Sequence, residues 1–497
     1  MIVVPMASGK PPVEGNASRT PAGAGQVVRG ARMVAAGRLS GRVFWFGSLV
    51  FLVAQLSPGA YGTVAIALLL IDGGTRLTEA GTRGELVLAR TITREDLRTA
   101  IVRNVAVGAG LSAAMAVLAG PVVQLFAEGG RPEVVRAMSP AIAVYALSIV
   151  PMALLARHLA FPRRAAVEAG TMVPASLIAV AAAILGAGVW ALVLRQLLYY
   201  VLLAACAWVA ARTLFPSRSA STGEGEAEVR TEWGVRRPFL LYGVALYVLF
   251  NLDNLIVGAF SDAKDLGLYA LAFRIAFTPV LELSHVFGMV VFPLAAVSSL
   301  ETARRRSVRA MRLAALVLLP GVPVVIVLAP HVVPAVFGSE WRGAVAPFQV
   351  LVVAGVAYTV LNMLGESLAG TGHMDFRARV GMASMVAMAG ALLVLVPLAG
   401  IVGAAAAHLL VLVGVIVIYV ARGMPLLGLA RRRVADALTP VVMAVLAQAA
   451  VTAVVTVVLD GRTSHLVASG SGALLGLAVA GVVMLSTGAA ARTEARA

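Results

Sequence analysis

The chain has 497 residues, of which 60% are hydrophobic and only 13% are charged, and its mean hydropathy is +0.92. Soluble domains are roughly half apolar and a quarter charged, so this composition excludes an ordinary water-soluble fold. The formal net charge of +16 would suggest a nucleic-acid partner in a soluble protein, but here the arginines lie in short segments between apolar runs, which excludes that partner.

The N-terminal region precedes the first apolar run. The opening residues, MIVVPMASGK, lack the charged segment, apolar stretch and small-residue cleavage site of a secretory signal, so we expect no signal peptide to be removed. Residues 1–25 are rich in Gly, Pro and Ala and predict a disordered cytoplasmic tail. Residues 26–42 predict either a basic helix along the membrane surface or an extension of the first span.

Apolar runs of about 20 residues, long enough to cross a bilayer, predict fourteen membrane-spanning helices. The first six form an N-lobe at 26–213, with spans near 40–57, 60–81, 103–126, 137–156, 167–186 and 188–211. A polar linker at 214–237 precedes a C-lobe at 238–422, with spans near 238–259, 266–292, 311–337, 344–369, 380–398 and 401–421. A C-terminal helix pair at 423–497 adds spans near 439–459 and 467–488. The predicted fold class is an all-α, polytopic membrane protein.

The distribution of basic residues predicts the orientation of these spans. With a cytoplasmic N-terminus, the inside segments hold thirty-two of the forty lysines and arginines, and three more lie within spans. The outside segments hold the remaining five, Arg131, Arg136, Lys264, Arg342 and Arg462. This asymmetry is the one that the positive-inside rule requires. We therefore expect a bacterial inner-membrane protein with both termini in the cytoplasm.

The two lobes share a weak internal repeat at an offset of roughly 205 to 212 residues. The segment Pro58-Gly-Ala-Tyr61-Gly62 after the first span matches Leu266-Gly267-Leu-Tyr269 after the seventh. The hairpin Leu185-Gly-Ala-Gly-Val-Trp190-Ala matches Leu398-Ala-Gly-Ile-Val-Gly403-Ala. Six spans per lobe is an even number, which relates the lobes by an axis along the membrane normal and predicts a site between them.

Ionisable side chains inside the predicted spans are few, and each costs about 2.5 to 3.5 kcal/mol at mid-depth unless it faces a partner or a wet cavity. On the second and eighth spans they are separated by whole helical turns, which places them on one helix face, and the seventh span adds an amide and an acid. We therefore predict a substrate cavity lined by Asp72, Arg76 and Glu79 of the second span, Asn251 and Asp253 of the seventh, and Arg274 and Glu282 of the eighth.

An alternative interpretation is neutralisation within one helix, of Asp72 by Arg76 and of Glu79 by Arg83. Arg195 of the sixth span and His408 of the twelfth stand apart from these faces. We interpret both as helix-to-helix contacts rather than as ligands.

Enzymatic motifs are missing from the sequence. It contains no G-x-x-x-x-G-K-[ST] loop, no H-E-x-x-H pair, no Cys/His cluster and no G-x-S-x-G elbow. The predicted outside connections are short, whereas a membrane glycosyltransferase needs room for an acceptor site. We therefore expect a carrier that is not an enzyme, with no catalytic residue, no metal and no cofactor.

Several motifs resemble those of a known family. They are Leu56-Ser-Pro-Gly-Ala-Tyr61-Gly62, Arg157-His-Leu-Ala-Phe161-Pro, Asn251-Leu-Asp253-Asn-Leu-Ile-Val-Gly258, Leu266-Gly267-Leu-Tyr269-Ala-Leu-Ala-Phe-Arg274 and Phe337-Gly338-Ser-Glu-Trp341. Their order is similar to that in the polysaccharide and lipid-linked oligosaccharide flippases of the multidrug/oligosaccharidyl-lipid/polysaccharide exporter superfamily.

The resemblance implies two six-helix lobes around a central cavity, with access alternating between the two sides of the membrane. It also implies a substrate of undecaprenyl-(pyro)phosphate-linked glycan, and enzymes of polysaccharide assembly as further partners beside the lipid bilayer. Guanidinium groups pair bidentately with phosphate, so Arg76 and Arg274 are the candidate headgroup ligands. A flippase for the peptidoglycan precursor lipid II and an antiporter for drugs or small cations, both of the same superfamily, stay open as alternatives.

Overall fold

The computed structural model describes residues 41–79, 82, 86, 92–158, 160–215, 233–296, 299–459 and 469–480. The predicted tail at 1–25 and most of the predicted linker at 214–237 lie outside these residues. Within them the chain is helical and has no β-strand, apart from one isolated bridge between Glu128 and Asp262. The prediction of an all-α fold is confirmed.

The described part of the first half, within residues 41–215, contains seven α-helices and a short 3-10 helix at Arg212–Leu214. The α-helices are α1 (Gly41–Val53), α2 (Pro58–Glu79), α3 (Arg94–Phe126), α4 (Pro132–Met138), α5 (Pro140–Arg157), α6 (Phe161–Ile184) and α7 (Val189–Ala211). Local sequence sets several of the starts. Thr93 and Asp96 form a reciprocal capping box before α3, and a proline lies in the first turn of α4, α5 and α6, where it costs no backbone hydrogen bond.

The second half, described over residues 233–426, begins with a broken helix. It contains α8 (Trp233–Leu249), α9 (Leu252–Phe260), α10 (Ala263–Ala296), α11 (Leu300–Leu318), α12 (Gly321–Phe337), α13 (Val345–Gly370) and α14 (Met374–Ile418). The predicted seventh span is therefore α8 and α9, interrupted at residues 250–251. The predicted eleventh and twelfth spans are the two parts of α14, residues 374–398 and 401–418, which a tight turn at Ala399 and Gly400 separates. Two further helices follow, α15 (Arg431–Leu459) and α16 (Ser469–Ala480).

The apolar helices make this a multi-pass membrane protein. Eleven helical stretches of the described residues are long and apolar enough to cross a membrane, and α1 and α16 are shorter apolar helices. One of the eleven stretches includes both parts of α14 and therefore two of the predicted spans. The predicted count of fourteen, the lobe boundaries and the cytoplasmic termini stay predictions.

The helices place two sets of connections at opposite ends of the molecule. One end carries Arg103, Arg157, Arg305 and Arg431 and is called the arginine-rich end. At the other, which we call the closed end, the two halves touch through glycines. A Cβ atom on Gly62 would lie 1.9 Å from the carbonyl oxygen of Ala263, and one on Gly267 would lie 1.8 Å from that of Pro58. Backbone therefore packs directly on backbone here, and α2 and α10 form the main contact between the halves.

The hairpins at the closed end share one backbone conformation. Gly188 has φ 54° and ψ −129°, and Gly400 has φ 55° and ψ −138°. Residues with a Cβ rarely adopt this region, so glycine is required at both turns. The separation of the two glycines is 212 residues (400 minus 188), which is an offset of the predicted repeat. The two hairpins thus match in backbone geometry as well as in sequence.

Candidate functional site

A cavity of about 380 Å³ lies between the two halves. Helices α1, α2, α6 and α7 of the first half and α9 and α10 of the second contribute to its wall, together with Phe250 and Asn251 between α8 and α9. It begins directly below the closed end, because Val64 and Ala270, two and three residues beyond the touching glycines, are part of its lining. Its charged and amide-bearing side chains are Arg42, Asp72, Arg195, Gln196, Asn251, Asn254 and Arg274.

Two arginines in this wall have no acidic partner among the described residues. Arg195 is 4% exposed; its Nη2 donates to the carbonyl of Trp45, and its guanidinium lies 3.5 Å from the centre of the Trp45 ring. The Nε of Arg195 is buried and has no hydrogen-bond acceptor within the part of the chain that the structure describes. Arg274 lines the same cavity from α10, and no described carboxylate forms an ion pair with it. Buried cations normally have a partner, so the wall offers positive charge to an incoming anion.

Three of the predicted site residues lie in this wall: Arg274, Asn251 and Asp72. Asp72 is already engaged, because its Oδ2 lies 3.1 Å from the Nε of Arg76 one helical turn away. This is the neutralisation within one helix that the alternative interpretation expected. The Nδ2 of Asn251 donates to the carbonyl of Tyr247 at 2.7 Å, across the break between α8 and α9. The cavity charge is therefore dominated by the arginines.

Two more predicted residues of α2 lie outside the cavity lining. The side chain of Arg76 is 61% exposed, and its guanidinium lies 4.9 Å from the ring centre of Tyr247 on α8. Glu79 accepts a hydrogen bond from the hydroxyl of Tyr145 at 2.7 Å. The suggested partner of Glu79, Arg83, lies outside the described residues. Substrate contact by Arg76 and Glu79 stays a prediction, and the structure gives both side chains protein partners instead.

The remaining two predicted residues, Glu282 and Asp253, also have protein partners. The Oε1 of Glu282 lies 2.7 Å from Nη1 of Arg42, an ion pair that joins α10 of the second half to α1 of the first. Asp253 is completely buried in the second half, where it accepts hydrogen bonds from Tyr269 at 2.7 Å and meets His408 at 3.0 Å. It lies behind the cavity wall, whereas its neighbour Asn254 lines the cavity.

Sequence reasoning missed part of the cavity wall. Arg195 was interpreted as a helix contact, and it does contact α1, but it also lines the cavity together with Gln196 and Tyr199 of α7. These three residues share one helix face at i, i+1 and i+4, which is the signal that could have identified them. Arg42 and Trp45 lie at the start of α1, where the sequence shows only a basic residue before an apolar run.

Several proteins of known role are similar to this chain in sequence. Residues 52–346 match the sequence profile of the family described as polysaccharide biosynthesis protein. The teichuronic acid biosynthesis protein TuaB of Bacillus subtilis strain 168 is 31% identical over 127 residues, which are 25% of this chain and 26% of TuaB. The lipopolysaccharide biosynthesis protein WzxC of Escherichia coli K12 is 22% identical over 75% of this chain and 76% of its own length.

A third relative is the succinoglycan biosynthesis transport protein ExoT of Rhizobium meliloti strain 1021, which is 26% identical over 60% of each chain. The chain thus spans about a quarter of TuaB, three quarters of WzxC and three fifths of ExoT in these alignments.

Two solved structures share the fold. The lipid II flippase MurJ in an inward closed conformation has a TM-score of 0.65 at 9% identity and covers 95% of this chain and 100% of its own. An inward-facing multidrug resistance MATE family transporter of the MOP superfamily has a TM-score of 0.57 at 16% identity, covering 79% of this chain and 98% of its own. At these identities the likeness concerns the fold alone. The family match covers more than half of the sequence, and it confirms the resemblance drawn from the motifs: the chain belongs to the polysaccharide biosynthesis protein family.

Proposed function

We propose that this protein moves a lipid-linked oligosaccharide or polysaccharide precursor across the cytoplasmic membrane by alternating access. The observation that carries the proposal is the pair Arg195 and Arg274, which face one cavity between the halves without a described acidic partner. A pyrophosphate headgroup takes two guanidinium groups bidentately in such a low-dielectric site. The names of three relatives, which refer to teichuronic acid, lipopolysaccharide and succinoglycan, support a glycan precursor as the cargo.

The size of the cavity supports a short cargo. Its volume of about 380 Å³ falls within the range of about 300 to 1,000 Å³ that is typical of sites for small molecules. A headgroup with a few sugars can enter such a space, whereas a finished polymer is far larger. The proposed substrate is therefore a single lipid-linked repeat unit, whose prenyl chain stays in the bilayer.

The contacts between the halves support a state that accepts substrate from the cytoplasm. At the closed end the halves meet backbone to backbone at Gly62 and Gly267. Toward the arginine-rich end they meet through the pair Arg42 and Glu282, whose side chains are 48% and 28% exposed, and through Tyr247 of α8, whose hydroxyl donates to the carbonyl of Leu69 at 3.3 Å. A partly exposed ion pair and a single hydrogen bond contribute only about 1 kcal/mol each, so this second contact parts more readily than the backbone contact. With the arginine-rich end in the cytoplasm, as the charge distribution predicts, the headgroup enters from inside and leaves after the glycine contact opens.

The proposal is tested by replacing the two unpaired arginines in a host that lacks its own copy of the gene. We expect Arg274→Ala and Arg195→Ala each to lower surface polysaccharide roughly 10- to 150-fold, because a hydrogen-bonded charge contributes about 1.5 to 3 kcal/mol. The lipid-linked precursor should accumulate inside. Arg305→Ala is the matched control, since this arginine is exposed at the arginine-rich end and pairs with Glu301.

Immunoblots of membranes verify that all variants reach the same level. Wild-type export by both Arg274→Ala and Arg195→Ala would refute the cavity assignment. Rescue of cells depleted of their lipid II flippase would assign the peptidoglycan precursor as cargo instead. Extrusion of a fluorescent drug cation, without any change in polysaccharide, would favour the antiporter alternative.

A further inference from the structure

A buried acid and a buried base meet in the second half, outside the cavity wall. The carboxylate of Asp253 has no solvent exposure, and its Oδ2 lies 3.0 Å from Nε2 of His408 and 2.7 Å from the hydroxyl of Tyr269. Its Oδ1 accepts the backbone N–H of Asn254 at 2.8 Å. Asp253 is the only fully buried carboxylate among the described residues. Burying a charge without a partner costs several kcal/mol, so the charge state of this pair has structural consequences.

From this arrangement we infer that Asp253 and His408 form a proton-binding site whose occupancy is coupled to the transport cycle. The inference rests on the proposed function. When His408 carries two protons, the imidazolium and the carboxylate form a neutral pair. When the Nδ1 proton leaves, Nε2–H still donates to Asp253, and the pair carries one net negative charge. Both states keep the carboxylate hydrogen-bonded through Tyr269 and Asn254, so the site can gain and lose a proton without unfolding.

The pair lies between two cavities. His408 lines a second, smaller cavity of about 70 Å³ inside the second half, together with Tyr242, Asn362 and Arg377. Asn254, the neighbour of Asp253, lines the central cavity between the halves. Most residues that line this smaller cavity are apolar, and its polar side chains include those of His408, Asn362 and Arg377. The pair thus lies between a small cavity in the second half and the proposed substrate cavity.

Helix α9 connects the pair to the closed end. Asp253 lies in the first turn of α9, directly after the break at Asn251, where the positive end of the helix dipole favours its carboxylate. One and a half turns further along the same helix, a Cβ on Gly258 would lie 2.2 Å from the carbonyl oxygen of Phe126 in the first half. A change of charge at Asp253 therefore acts on a short helix that is hinged at one end and forms part of the contact between the halves at the other.

Other charged and titratable groups surround the pair, and most are engaged elsewhere. Around the smaller cavity, Arg377 donates to Glu366 at 2.8 Å, which neutralises it. The other titratable groups around that cavity are Tyr242, Tyr358 and Tyr419. Around the central cavity they are Arg42, Asp72, Arg195, Tyr199, Tyr200 and Arg274. His408 is the only imidazole in this set, and imidazole is the side-chain type whose ordinary change of protonation lies near neutral pH.

A proton fits this site better than a metal cation. Hard cations take several oxygen ligands, whereas His408 presents a ring nitrogen to a carboxylate that already accepts three other hydrogen bonds. Within the described residues, no group of three His, Cys, Asp or Glu side chains could hold a metal ion.

The test uses the full chain in detergent, without substrate, and measures the distance across the closed end. Leu185 and Leu398 are highly exposed on the two hairpins, and each is replaced by a spin-labelled cysteine after Cys206→Ser has removed the single native thiol. We expect the ratio of two distance populations to change between about pH 5 and 8. His408→Gln and Asp253→Asn should each abolish this change, while His158→Gln, at the arginine-rich end, should preserve it.

A parent protein with no pH-dependent change, or variants that keep it, would overturn the proton site. Replacing sodium chloride with choline chloride provides a second arm, because a change that follows sodium instead of pH also overturns it. The export assay with Arg274→Ala separates the two proposals. If the proton response is absent but the protein exports glycan, the proton site is refuted and the proposed function stands. If the protein shows a clear pH response but exports no glycan, the proposed function alone is refuted.

Discussion

Substitution of Gly267 by alanine should hold the closed end open. The added Cβ would lie 1.8 Å from the carbonyl oxygen of Pro58, whereas ordinary contacts begin at 3.4 Å, so α2 and α10 must separate locally by at least 1.6 Å (3.4 minus 1.8). Both sides of the contact are backbone, and no side chain can rotate away. Alanine is meanwhile the better helix former by about 1 kcal/mol, so α10 itself is not weakened.

The size of the effect follows from the cost of forcing extra volume into a packed contact, which is roughly 1 to 3 kcal/mol. At about 1.4 kcal/mol per factor of ten, the substitution disfavours the closed arrangement roughly 5- to 150-fold. Export should fall by a comparable factor, because a carrier that cannot close one end no longer alternates. In the proposed alternating-access cycle the two glycines separate when this end opens, so the protein should still fold and accumulate in the membrane.

The assay measures access to the cavity from outside the cell. Ala65 lines the cavity about one turn below the contact, and it is replaced by cysteine in a chain that carries Cys206→Ser. With the closed end outward, a membrane-impermeant maleimide should label this cysteine faster in Gly267→Ala than in the parent. Gly59→Ala is the matched control, because its Cβ would lie 3.9 Å from the nearest atom, the amide nitrogen of Lys264. Parental labelling and full export in Gly267→Ala would refute the reasoning.

Two further predictions concern charges in and between the halves. Arg377→Ala should lower the free energy of unfolding by roughly 1.5 to 3 kcal/mol, because it removes a charge-assisted hydrogen bond from the partly buried carboxylate of Glu366 on α13. Thermal unfolding in detergent measures this, with exposed Arg309→Ala as control, and equal unfolding temperatures would contradict it. Arg42→Glu should impair export, because it places two carboxylates together at the contact of α1 with α10. Adding Glu282→Arg should restore export. A double variant that exports no better than the single one would show that this ion pair plays no part in transport.

Much of the helical layout could be predicted, because an apolar run of bilayer length seldom forms anything other than a membrane-spanning helix. The predicted span at 188–211 is observed as Val189–Ala211, and that at 60–81 as Pro58–Glu79. The break between α8 and α9 escaped prediction, since residues 238–259 are apolar almost throughout and Asn251 was interpreted as a cavity residue. The turn at Ala399 and Gly400 was predicted, because the predicted spans at 380–398 and 401–421 are separated at the two residues where the helical conformation of α14 is interrupted.

The site was harder to predict than the fold. Helical periodicity tells which side chains share a face, but it does not tell what lies opposite that face. Arg274 and Asp72 do reach the cavity, whereas Arg76, one turn beyond Asp72, extends toward Tyr247. Asp253 contacts His408, which is 155 residues away in sequence, and only the packing of α14 against α9 brings the two side chains together. Contacts of this kind are set by tertiary structure and leave no local pattern.

The reciprocal contact of Gly62 with Gly267 has the geometry of a symmetric dimer interface, in which each surface patch meets its own counterpart. In a homodimer every substitution occurs in both subunits. A buried charge that is useful in one subunit is therefore also present in the other. Fusion of the two copies into one polypeptide removes that constraint. Gln196 stands 212 residues before His408, the offset that also relates the two hairpin glycines, so the first half has an uncharged amide where the second has an imidazole. The proposed proton site is therefore confined to one half, an asymmetry that two identical subunits could not have.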